Sequence, residues 1–126
     1  MSKPIRLSFI AFVLYSPFAF AEPLPKSAKE AGARYAQALG AAETCDGLRV
    51  GKMAEALKNE FSGNDLKAFN AQAADVYASW QKVKNCSRPL DPNPCRIMIQ
   101  LSCQSAVSEI GPEGSAIPHL LEIGGH

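Results

Sequence analysis

The sequence predicts an all-α protein: a small antiparallel four-helix bundle with a short C-terminal helix, stapled by two disulfides. Three observations carry that expectation. Apolar residues recur at spacings of three and four along four separate stretches, the links between the stretches are short, and four cysteines follow a leader that reads as an export signal.

The leader comes first in the chain. Lys3 and Arg6 open it, Leu7 to Tyr15 is apolar, Pro17 breaks the run, and Ala19-Phe20-Ala21 offers the small residues of a signal-peptidase site. Cleavage after Ala21 divides the chain into a removed segment, 1–21, and a single helical domain, 22–126. The apolar run is shorter than the ~20 residues that span a bilayer, so no stable membrane insertion is expected after cleavage. Lipidation would need a cysteine directly after the run, and the first is Cys45. The expected location is the periplasm or the medium.

The first helix is expected from Ser27 to Thr44. Ser27 is its N-cap with Glu30 three residues on, and Ala31, Tyr35, Leu39 and Ala42 form its apolar stripe. Gly40 weakens the last turn. Asp46-Gly47 makes a turn, and Val50, Met53, Leu57 and Phe61 mark a second helix running from about Leu48. Ser62-Gly63-Asn64 stops it and caps a third, where Leu66, Phe69, Ala73, Val76, Tyr77, Trp80 and Val83 share one face as far as Asn85. Pro89, Pro92 and Pro94 exclude helix from the following link. Pro94 then suits the start of a fourth helix that ends at Gly111-Pro112. Ile97, Met98, Ile99, Leu101, Cys103, Ala106, Val107 and Ile110 cover more than one of its faces, which predicts the most buried element of the fold. Ser115 and the apolar Leu120, Leu121 and Ile123 suggest the closing helix. No strand-period stretch of useful length, internal repeat or low-complexity segment is visible.

Four cysteines in a small exported chain read as a disulfide framework. Cys95 and Cys103 lie eight residues apart on one helix, separating their Cα atoms by ~12 Å against a limit near 7 Å, so they are not partners. A descending second helix of about 14 residues followed by an ascending third of about 21 overshoots by ~10 Å, and eight residues of the fourth helix then bring Cys103 level with Cys45. The expected pairs are Cys45 with Cys103 and Cys86 with Cys95.

Composition excludes more than it assigns. Loss of Lys3 and Arg6 leaves 11 basic and 12 acidic residues, a balance of −1, with no basic run for nucleic acid. The cysteine spacings match no structural zinc site, even with His119 added. No cofactor or metal is expected, and Met53 and Met98 read as core fillers. His119 and the terminal His126 are the only histidines, and Ser102 and Ser105 have no histidine or acid at motif spacing, so no enzyme is expected. Asn85-Cys86-Ser87 matches a glycosylation sequon, a short and unspecific match.

One segment carries a positive argument. Arg88, Leu90 and Asp91 place a cation, an apolar tip and an anion on a proline-stiffened link closed by a disulfide, and such pre-organisation lowers the entropy lost on binding. A covalently tied connection without a partner explains the same residues. The expected function is a non-catalytic exported protein that binds a protein partner, as inhibitor, immunity factor or accessory subunit. An acid-stress chaperone and a carrier with a pocket in the bundle are the alternatives. In architecture the expected fold is similar to small exported helical proteins such as the amidase-immunity proteins of type VI secretion, a resemblance carried by no sequence motif.

Overall fold

The structure, a computed structural model, describes residues 27–124; residues 1–26, with the expected cleavage site, and residues 125 and 126 lie outside them. The order of elements is α1 (Ala28–Thr44), β1 (Leu48–Val50), α2 (Lys52–Lys58), α3 (Gly63–Lys84), α4 (Asn93–Ile110) and β2 (Leu121–Ile123). The described residues are mostly helical, with four helices, two disulfides and one two-stranded sheet among them.

The first helix is the spine. Ser27 caps it, its Oγ accepting the Glu30 N–H at 3.1 Å, and Ala31, Ala38 and Ala41 are fully buried along it. Gly32, Ala36 and Gly40 recur every fourth residue and let α3 approach closely. A Cβ on Gly32 would overlap the Phe69 carbonyl, and one on Gly40 would overlap the Trp80 side chain. Gly40 is therefore a packing position, not only a weak spot in the last turn. The order of these contacts, 32 with 69 and 40 with 80, makes α1 and α3 run parallel. Tyr35, Phe61 and Phe69 close the lower end of the core, their ring centroids 5.3 and 5.4 Å apart in successive pairs.

The fourth helix returns antiparallel to α1. Cys103 is bonded to Cys45 just past the end of α1, and six residues later Glu109 accepts hydrogen bonds from Arg34 and Gln37. This geometry corrects the expectation that α4 is the most buried element. Only Cys95, Ala106 and Ile110 of α4 are buried, against eight residues of α1. Since α1 stops level with Cys103, the first half of α4 overhangs it by roughly 12 Å and is left largely exposed, with only Cys95 buried there. An apolar count favours large side chains, whereas the spine is built of alanine and glycine.

The second helix and the closing helix are also corrected. Leu48-Arg49-Val50 and Leu121-Glu122-Ile123 pair as antiparallel strands in the register Leu48↔Ile123, Arg49↔Glu122 and Val50↔Leu121, and α2 keeps only Lys52–Lys58. Each strand alternates apolar, charged, apolar over three residues, too short a run to compete with a helical pattern. Gly51 donates to the Leu120 carbonyl at 2.8 Å and faces the His119 carbonyl where no Cβ fits. His119 has φ 68°, a left-handed kink that turns the tail from the 115–118 segment into β2. That segment also ends α4: the N–H groups of Ser115 and Ala116 donate to the Ser108 and Glu109 carbonyls at 3.0 and 2.9 Å. Leu120 and Leu121, read as helical, are instead fully buried, Leu120 in the bend before β2 and Leu121 as its first residue.

Candidate functional site

The candidate site is the end of the molecule where α3 hands over to α4. Lys84 ends α3, and the next residues run through Pro89 and Pro92 to the start of α4 at Asn93. Cys86 and Cys95 join the two sides with a Cα–Cα distance of 5.7 Å, and Cys45–Cys103, at 5.9 Å, fixes α4 to the spine below. All four cysteines are therefore disulfide-bonded, in the pairs that helix lengths suggest, and none is a thiolate ligand.

Within the closed loop the three predicted residues have different surroundings. The Asp91 N–H donates to the Arg88 carbonyl at 3.2 Å, closing a turn over 88–91. Asp91 Oδ1 accepts the Asn93 N–H at 3.1 Å, so this carboxylate braces the entry to α4. Asn93 is the first residue of α4, and its amide oxygen accepts from the Arg96 guanidinium. Leu90 sits at the turn with its side chain 100% exposed. The Arg88 side chain is exposed as well and makes no hydrogen bond or ion pair among the described residues.

The apolar surface continues from the loop onto α4. Ile97 is 55% exposed, Met98 38% and Leu101 58%, all on the outward face of the overhanging half-helix. Sequence reading assigned these residues to the core, because a helix apolar on several faces reads as buried whether a core or a partner covers it. Met53, also read as a core filler, is 49% exposed on α2. On the other side of α4, an open groove of about 490 Å³ runs between it and the end of α1, lined by Thr44, Leu48, Ile99, Cys103 and Val107.

Electrostatics tie the lower half of α4 rather than arming a reaction. Glu109 Oε1 accepts Arg34 Nη1 at 2.6 Å and Gln37 Nε2 at 3.0 Å, and the hydrogen bonds from Gln37 and Arg34 hold its carboxyl below the usual range. Burial and the hydrogen bond to Glu55 push the Tyr35 phenol up. His119 Nδ1 lies 3.3 Å from Glu122 Oε2 on the exposed tail, while Ser102 and Ser105 have no such neighbour in the described hydrogen bonds. Among the described residues no group of three or more His, Cys, Asp or Glu could hold a metal ion, and no helix is long and apolar enough to cross a membrane. No protein-family model, curated protein or solved structure matches this chain.

Proposed function

We propose that this chain is a non-catalytic exported protein, periplasmic or secreted after removal of residues 1–21, that binds a protein partner as inhibitor, immunity factor or accessory subunit. The observation that carries the reading is the fully exposed Leu90 at the tip of a loop closed by Cys86–Cys95. A large apolar side chain held out on a stiff, covalently closed turn loses little entropy when it enters a pocket. Arg88 beside it adds a cation free to pair with an acidic partner group. The leader and the two disulfides support export, since such bonds persist in oxidising compartments.

The test is affinity capture from a periplasmic extract with the disulfide-intact protein as bait. Leu90→Asp is expected to weaken capture of the specific partner at least about tenfold, as truncating a central anchor does, without changing thermal stability. Capture that is unchanged in both Leu90→Asp and Arg88→Ala overturns the loop as the contact.

The groove between α1 and α4 favours a second reading, a carrier of a small apolar ligand, because its volume falls within the ~300–1,000 Å³ of ligand pockets. Native mass spectrometry of freshly isolated protein decides it by the presence or absence of a retained ligand.

A further inference from the structure

We infer that the outward face of α4 is a self-pairing seam: two copies of this chain associate through antiparallel α4 helices crossing at Leu101. Pro94, Ile97, Met98 and Leu101 follow the i, i+3, i+4, i+7 spacing of a helix–helix seam, and all four are exposed. An apolar stripe with that spacing fits another helix better than a flat surface or a small molecule.

Two features select a second copy as that helix, and antiparallel as its direction. The first is shape. The upper half of the face carries the large Ile97 and Met98, whereas the lower half carries the small, exposed Ser105 and Ser108. A twofold axis at Leu101 sets Ile97 against Ser105 of the second copy and Pro94 against its Ser108, so bulk on one helix meets space on the other. The second is charge. The start of α4 and its loop carry Arg88 and Arg96 against Asp91, while the far end carries Glu113 beyond a Glu109 already neutralised by Arg34. Antiparallel pairing brings the cationic end of each copy to the acidic end of the other and opposes the helix dipoles, whereas parallel pairing would bring like ends together.

This inference stands apart from the partner-binding reading, which uses Leu90. Sedimentation of the full chain, expressed for export and purified with both disulfides intact, is expected to show a dimer at about 100 μM that dissociates on dilution, as a small transient interface does. Leu101→Arg puts two facing cations at the axis and is expected to weaken the dimer at least about 100-fold, while the exposure of Leu101 leaves the thermal midpoint unchanged. Geometry is read by cross-linking: Leu101→Cys should form a linked dimer, and Ile97→Cys should link to Ser105→Cys rather than to itself. A monomer at about 100 μM, a dimer indifferent to Leu101→Arg, or self-linking of Ile97→Cys overturns the seam. A monomeric wild type whose capture of another protein still depends on Leu90 overturns this inference alone.

Discussion

Gly32 sits where α1 touches the backbone of α3, and nothing larger fits while the helices keep their spacing. Helix propensity alone favours alanine there by about 1 kcal/mol. The obstructing group is the Phe69 carbonyl, which no rotamer change removes. At Gly40 the obstruction is the Cβ and Cγ of Trp80, and the Cβ is fixed by the α3 backbone. Gly32→Ala and Gly40→Ala are therefore each expected to destabilise the protein by about 2–3 kcal/mol despite the propensity gain. Urea unfolding of the two variants checks this; a stabilised variant would mean that the helices are not in contact at that glycine.

The elements differ in how firmly they are joined, and α4 shows this best. Its lower half is fixed to α1 by Cys45–Cys103 and by Glu109 receiving Arg34 and Gln37, while its upper half is tied at its start by Cys86–Cys95 and is otherwise largely exposed. The Glu109 carboxyl is held below its ordinary range in the folded state. Its stabilisation is thus complete above the unfolded carboxylate range and lost as pH falls through the lowered value. Both partners are partly solvated, so the tie is worth about 0.5–1 kcal/mol at neutral pH. Glu109→Gln is expected to be less stable than wild type at pH 7 by about that amount, with the gap closing below about pH 4. Thermal midpoints across the range test it, and a gap that persists into acid contradicts the assignment. The helical elements were legible because each buries a stripe at spacings of three and four. The strands were not, because three residues of alternation in each are fixed only by pairing with one another across the fold. Helix lengths led to the observed disulfides although α2 proved far shorter than expected. The overshoot of α3 past the descending segment still places the start of α4 above Cys45, because β1, α2 and the turns around them cover that descent in place of one longer helix. Leu90 was legible as an exposed tip through its prolines, whereas the α4 face was not, since periodicity reports that a face is apolar and not what covers it.

Across the whole molecule, burial is graded from the α1 spine outward, and opening should follow the same gradient. Amides of α1 between Ala31 and Ala41 lie among fully buried side chains and can exchange only when the core opens. The overhanging turns of α4 from Arg96 to Leu101 have helical hydrogen bonds but solvent on most sides, so local opening costs them far less. The disulfide to Cys86 limits how far that half-helix separates, but does not hold its backbone hydrogen bonds closed. Hydrogen exchange on dilute protein is expected to rank protection as α1 above α3 above the first half of α4, with a difference of at least about 100-fold between the extremes. If the outward face of α4 pairs with a second copy, raising the concentration should slow exchange at 97–105 and leave α1 unchanged, because association stabilises only the turns it covers. Equal protection of α1 and the start of α4 in the dilute protein would instead mean that the overhang belongs to the cooperative core, and that its apolar residues owe nothing to a partner.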